Sequence, residues 1–264
     1  MGVDLGYAGT SVIVTGGTRG IGKALVRLLL DQGAQVLAVG SRQQTADELR
    51  ADITDDTLHV VAQDMRADDC GTRVVAAAVE TFGGVDLVVN NAAAFDYVPV
   101  DDIRRADWTA LFTLKALGYW SLARAAVPEL EKHQGSIVNV SGVAGIIASP
   151  DSPHVGAVNA AVISMTEGMA KAFAARQVRV NVVSPGATDT DRFATRTALL
   201  AEREHTDEAA ARDRLSSVIP VGHPADPAEV ALVIALLGAP VLRSVTGTHI
   251  VVDGGSTLGG RRHA

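Results

Sequence analysis

The sequence predicts a single α/β domain built on a doubly wound parallel sheet, and three observations carry that prediction. Short apolar runs rich in β-branched residues alternate with longer stretches of helical patterning. The runs are apolar almost without interruption, as strands covered on both faces are. No low-complexity linker divides the 264 residues, a length that can bury one large core, so 1–264 is read as one domain.

The first run, SVIVT at 11–15, precedes a helix expected over 21–32. AQVLAV (34–39) leads to a helix near 45–52, LHVVA (58–62) to a helix over 71–82, and VDLVVN (85–90) closes the first half. Strand, helix, strand repeated in this way implies right-handed crossovers and a parallel sheet. The second half continues with a long helix around 108–131, the strand SIVNV (136–140) and a helix from about 155 to 175. The strands VRVNVV (178–183) and THIVV (248–252) follow. Residues 190–218 are richer in charge, with AEREHTDEAAARDR at their centre. They read either as a solvated helix face or as a lid over substrate, because they follow a strand end where ligands collect.

Hydrophobic residues make up 47% of the chain and charged residues 20%, which excludes a disordered or fibrous protein. The formal net charge of −7 disfavours nucleic acid and anionic membrane surfaces, so the expected partner is a small molecule. The single cysteine, Cys70, has no mate for an internal disulfide or a cysteine-based metal site, and no metal is expected. The opening MGVDLGYAGTSVIVTGG has no basic leader, and no segment reaches the roughly 20 apolar residues that cross a bilayer. The expected compartment is the cytoplasm.

VIVTGGTRGIGKAL joins a strand, a glycine-rich turn and a helix start, with Gly16, Gly20 and Gly22 in the turn. Glycine there permits a tight turn and lets backbone approach a pyrophosphate at the helix N-terminus, the signature of a Rossmann-like dinucleotide site. Thr18, Arg19 and Ile21 complete the turn. The second strand ends in Gly40, Ser41 and Arg42, where an NAD-selective protein places a carboxylate for the ribose 2′-hydroxyl. That acid is absent, and Arg42 with Arg19 offers guanidinium groups suited to a 2′-phosphate, so NADP(H) is the expected cofactor. The alternative is a pair of ordinary surface arginines.

Over nearly its whole length the chain resembles the short-chain dehydrogenase/reductase family. TGGTRGIG is similar to that family's TGxxxGxG turn, AQDM to its adenine-contacting segment at Asp64 and Met65, and NNAA at 90–93 to its NNAG segment. The last of these brings Asn91, Ala92 and Ala93 to the cofactor. RVNVVSPGATDT resembles the strand and loop that hold the nicotinamide, with Pro185, Gly186, Thr188 and Thr190, and TGTHIVVDGG resembles the closing strand. The resemblance implies a homo-oligomer, a tetramer or a dimer, in which the helices around 108–131 and 155–175 pair across a two-fold axis.

The same resemblance implies an asparagine, a serine, a tyrosine and a lysine for proton transfer. Aligning AAVISMT (160–166) with the family's usual continuation puts the tyrosine at Val155 and the lysine at Asn159. The serine then falls at Gly142, and the asparagine, seven residues on from Trp108, at Lys115. A register shifted by one pairs Ser141 with His154 and puts Val158 at the lysine position, and it supplies neither tyrosine nor lysine. In the first register asparagine and lysine look exchanged, with Lys115 on one helix and Asn159 on the other. Lys115, His154, Asn159, Ser141 and Tyr97, the last in the loop after NNAA, are therefore the candidate catalytic residues. Lys115 reads either as a rebuilt catalytic cation or as a snorkelling surface lysine, and His154 as a proton donor or a solvent-facing loop histidine. The function expected is reduction of a small carbonyl compound with NADPH, possible without the usual tyrosine if the substrate assists. The alternatives are a non-redox cyclase, isomerase or dehydratase on the same scaffold, and a catalytically silent NADP(H)-binding subunit.

Overall fold

The computed structural model describes residues 4–94 and 99–258. Its strands are β1 (Ser11–Thr15), β2 (Gln35–Gly40), β3 (Leu58–Ala62), β4 (Leu87–Asn90), β5 (Ser136–Val140), β6 (Arg179–Pro185) and β7 (His249–Val252). They pair in parallel in the order β3-β2-β1-β4-β5-β6-β7. The chain builds outward from β1 to β3, then crosses back to β4 and builds outward on the other side. The switch point thus lies between β1 and β4, where Val12, Ile13 and Val14 pair with Leu87, Val88 and Val89. Beyond the carboxyl ends of two such strands the following segments diverge and leave a crevice.

Helices α1 (Gly20–Asp31), α2 (Gln43–Asp52), α3 (Cys70–Phe82), α4 (Arg105–Phe112), α5 (Gly118–His133) and α6 (Pro153–Phe173) cover the sheet, with α7 (Asp191–Glu204), α8 (Glu208–Ser217) and α9 (Pro227–Gly238) after β6. Strand side chains alternate between two cores. Val12 and Val14 pack with α1, α2 and α9, while Ile13 packs with α3 and α5 on the opposite face. The helices supply matching stripes. α1 buries Gly22, Leu25, Val26 and Leu29, and α3 buries Cys70, Gly71, Val74, Val75 and Ala78, the three- and four-residue spacing of one helix face. Each fully buried leucine or valine contributes about 1.5–3 kcal/mol of transfer free energy.

Three features differ from the sequence expectation. The long helix begins at Arg105 and ends at His133, and a π-helical stretch, Thr113–Leu117, separates α4 from α5. The charged segment 190–218 holds two helices, α7 and α8, with Phe193, Thr197, Leu200 and Ala201 of α7 buried. The third feature, α9, was not expected at all. It is apolar around its whole circumference: Val230 and Ile234 face the core while Leu232 and Leu236 are exposed, so no amphipathic stripe marks it. Its start signal is nevertheless present, since Asp226 and Glu229 form a capping box with Pro227 at the first turn. Its end is held by Arg179, buried at the start of β6, whose guanidinium donates to the carbonyls of Leu237, Gly238 and Ala239. These carbonyls have no partners within the helix, and a cation there is favoured by the helix dipole.

Candidate functional site

A cavity of about 830 Å³ lies at the carboxyl ends of the strands, over the switch point. The glycine turn forms one wall. Gly16 and Gly20 have φ of 64° and 53°, in the left-handed region, and a Cβ on Gly16 would come within 3.0 Å of the Ala92 Cα. The turn is pinned to the end of β4 by Asn91, whose Nδ2 donates to the Thr15 and Gly16 carbonyls, and by the Thr15 hydroxyl, which accepts from the Asn91 and Ala92 amides. Of the turn residues, Gly22 stands beneath the turn, behind those that line the cavity. A Cβ there would lie 2.1 Å from the Gly16 carbonyl oxygen, so its role is close packing of α1 against the strand ends.

The first turn of α1 has no side-chain cap at Arg19 and no acidic residue, so its amides face the cavity with the positive end of the helix dipole. This arrangement fits a pyrophosphate. Along the same wall, Ser41 and Arg42 follow β2, and Arg19, Lys23 and Arg42 line a lobe beside the main cavity. Asp64 and Met65 line the cavity beyond β3. Arg66 chelates the Asp64 carboxylate at 2.9 and 2.9 Å and holds its pKa below the usual carboxylate range. At the other end Pro185, Gly186, Thr188 and Thr190 leave β6 and close on the glycine turn. The Thr190 methyl would lie 3.3 Å from a Cβ on Gly20, and a Cβ on Gly186 would lie 2.8 Å from that of Asp253.

The reacting end is built by three elements. Lys115 sits in the middle of the π-helical stretch, Ser141 directly follows β5, and Asn159 lies two turns into α6. The Lys115 ammonium group is buried, with 5% of the residue exposed, and donates to the Ser141 carbonyl at 2.9 Å and to Asn159 Oδ1 at 2.6 Å. The Ser141 hydroxyl donates to the Asn159 carbonyl at 2.9 Å. A Cβ on Gly142 would come within 3.1 Å of Asn159 Nδ2, so the glycine leaves room for the amide. Around this cluster the lining is apolar, from Leu111, Leu114, Val155 and Val158. Burial, and then the charge of Arg192, push the Lys115 pKa down to about 7. Lys115 is thus no snorkelling surface lysine.

His154 requires a correction. It is buried, with its ring centroid 6.0 Å from that of Trp108, and it does not line the cavity. Successive residues of a helix point about 100° apart, so the exposure of Val155 to the cavity turns His154 toward α4. Tyr97 lies outside the described residues. Tyr119 lies one turn beyond Lys115, where its hydroxyl donates to the Ala92 and Val140 carbonyls, and burial raises its pKa above the ordinary phenol value. Of the charged segment the sequence pointed only to Thr190 as a site residue, yet Arg192, Phe193, Thr195, Arg196 and Leu199 of α7 also line the cavity. The buried positions 193, 197, 200 and 201 carried the signal, a helical stripe within a charge-rich stretch.

A glycine turn at the switch point of a parallel sheet, with a long crevice beyond it, defines the dinucleotide-fold class of proteins. Residues 16–257 match the family model described as enoyl-(acyl carrier protein) reductase. The chain is 34% identical to the 3-oxoacyl-(acyl-carrier-protein) reductase FabG of Thermotoga maritima, over 95% of this chain and 98% of the relative. It is 32% identical to L-fucose dehydrogenase of Bos taurus, over 98% of this chain and 93% of the relative. In fold it is similar to the crystal structure of L-sorbose reductase from Gluconobacter frateurii complexed with NADPH and L-sorbose, with a TM-score of 0.89 at 23% identity over 97% and 99% of the two chains. The chain belongs to the short-chain dehydrogenase/reductase family, whose members matched here are oxidoreductases. Among the described residues no helix is long and apolar enough to cross a membrane.

Proposed function

We propose that this protein is an NADP(H)-dependent oxidoreductase that reduces a small carbonyl compound without the family's tyrosine and lysine, using Lys115 as the group that meets the reacting oxygen. The observation that carries this reading is the pair of hydrogen bonds from the Lys115 amine to Ser141 and Asn159 at the apolar end of the cavity. Both partners are acceptors, so the two bonds persist in either protonation state. What changes is the group presented to the cavity: the third N–H of an ammonium, or the lone pair of an amine. Lys115 is therefore able to give up a proton without losing its position.

NADP(H) is favoured over NAD(H) by Arg19 and Arg42 around the lobe at the end of β2, where no carboxylate follows the strand. The bound nicotinamide supplies the hydride. The chain supplies the rest: the amides of α1 and the loop 185–190 hold and orient the cofactor, and Leu111, Leu114, Val155 and Val158 keep the reacting oxygen away from water. The Lys115 ammonium stabilises that oxygen as charge develops and transfers a proton to it. The carbonyl carbon gains a hydride, its oxygen gains a proton, and a neutral amine remains to be reprotonated from solvent. General acid help of this kind is worth about 10²–10⁴-fold.

The α7 residues on the cavity wall support 190–218 as the cover over the substrate. Exposed Leu117 and Trp120 on the helix expected to pair with a second copy support a homo-oligomer. The cytoplasm remains the proposed compartment. The test is turnover: NADPH, and to a lesser extent NADH, should be consumed with members of a ketone and aldehyde panel. Conversion of a substrate with no change in nicotinamide absorbance would replace this reading with a non-redox one.

A further inference from the structure

The surroundings of Lys115 also bear on the ligand's own charge. A buried cation is costly unless a counter-charge accompanies it. Here the two acceptors of the Lys115 amine, a backbone carbonyl and a side-chain amide, are both uncharged. Each element around it adds to the same picture: α6 presents Asn159, the end of β5 presents Ser141, and α5 presents the Tyr119 phenol, whose proton is held by burial. Among the described residues the charged group that acts on Lys115 is Arg192 of α7, which has the same sign, lines the same cavity and donates to the Ala93 carbonyl. Among the described residues the lining has two carboxylates, Asp64 and Asp191; neither is among the groups that act on Lys115, and Asp64 is bound by Arg66 beyond β3.

We propose that Lys115 is the anion-recognising group of the cavity and that the ligand it takes presents a carbon-bound oxyanion: an ionised carboxylate, enol or phenol. This deepens the proposed function and rests on its placing of the substrate beside Lys115. Such an oxyanion completes the ion pair that the described residues leave open, sharing the N–H directed into the cavity with the adjacent carbonyl oxygen that is to be reduced. Arg192 on the facing wall adds attraction of the same sign. A neutral ketone gains only a hydrogen bond at this position, so the site selects acidic carbonyl compounds over neutral ones of equal size.

Binding should be linked to a proton. With its pKa pushed down to about 7, Lys115 is half-protonated near neutral pH, and an anion beside it raises that pKa by favouring the charged form. Above about pH 7 each anion therefore carries a proton in, and affinity falls up to tenfold per pH unit. Below that, Lys115 is already charged and affinity levels off.

The test uses the full-length protein with benzoate as a carboxylate probe, 2,4-dinitrophenol as a phenolate probe and benzamide as a neutral control. Calorimetry in two buffers of different ionisation enthalpy, across about pH 6 to pH 9, reads affinity and proton uptake together. At least one anion should bind at least about tenfold tighter than benzamide, with proton uptake appearing above pH 7. Lys115→Met should abolish both the selectivity and the uptake. Binding of benzoate alone identifies a carboxylate ligand and binding of the phenolate alone an enolate-like one; either supports the proposal. Benzamide equal to the anions, no anion binding at millimolar concentration, anion binding without proton uptake, or selectivity that survives in Lys115→Met would overturn it. If the variant does not fold, proton uptake by the wild-type protein decides the matter. Thermal stabilisation by NADPH on the same sample separates the two readings, since anion selectivity without it removes the cofactor assignment and leaves the anion site standing.

Discussion

Removing the Lys115 charge should change the pH dependence of stability in a direction and size that the structure specifies. In the folded protein the lysine titrates at about 7, against an ordinary value of 10.5. The folded-state pKa is depressed, so the unfolded chain binds the proton more tightly. Stability is therefore greatest above the unfolded pKa, falls as pH drops from about 10.5 to 7, and levels off below. At 1.36 kcal/mol per pH unit, the wild-type protein should gain about 2–3 kcal/mol from this one group between pH 6 and pH 9. Lys115→Met keeps most of the volume and removes that contribution. It also leaves Asn159 Oδ1 and the Ser141 carbonyl without their donor, a cost of about 1–3 kcal/mol each that does not depend on pH. The comparison is therefore the change between the two pH values rather than stability at one of them. Urea unfolding of both proteins at pH 6 and pH 9, with equal m-values, measures it. The difference in unfolding free energy between wild type and variant should grow by about 2–3 kcal/mol from pH 6 to pH 9. A difference that stays constant would refute the argument that Lys115 is buried as a half-neutral amine.

Three further outcomes are expected. Arg42→Asp should weaken NADPH binding about 10–100-fold while leaving NADH binding equal or tighter, because a guanidinium–phosphate pair becomes a carboxylate repulsion; titration calorimetry with both nucleotides checks it. Gly22→Ala should lower stability by about 1–3 kcal/mol or more, since its Cβ would lie 2.1 Å from the Gly16 carbonyl oxygen, and a thermal melt reads the loss. The wild-type protein should show an oligomeric mass by light scattering at micromolar concentration, and Leu117→Glu should shift it toward the monomer, because that residue is 60% exposed on the expected pairing helix.

The sequence carried most of the sheet because parallel strands buried on both faces leave long apolar runs, and α1 and α3 could be read because they bury a single stripe. The same logic hid α9, whose fully apolar surface has no period to detect, although Asp226, Pro227 and Glu229 announced its start. The cofactor wall was legible because glycine turns and strand ends impose residue types locally. The reacting end was less so. Position 115 could be identified by its distance from Trp108, yet it meets Ser141 and Asn159 from a π-helical stretch, which a 3.6-residue period does not foresee. His154 read as a proton donor or a solvent-facing loop histidine ahead of a helix from about 155, whereas α6 starts at Pro153 and carries it, buried, against Trp108; helix starts are the least legible boundaries in a sequence.

The central claim is that the Lys115 ammonium donates the proton that the family's tyrosine ordinarily supplies. The pH dependence of kcat/KM for NADPH-linked reduction, compared between wild type and Lys115→Met, tests it most directly. A general acid with a pKa of about 7 predicts that the wild-type rate falls about tenfold per unit as pH rises above that value. The variant should be slower by about 10²-fold or more and should lack that descending limb. Equal rates and superimposable profiles in the two proteins would contradict the account.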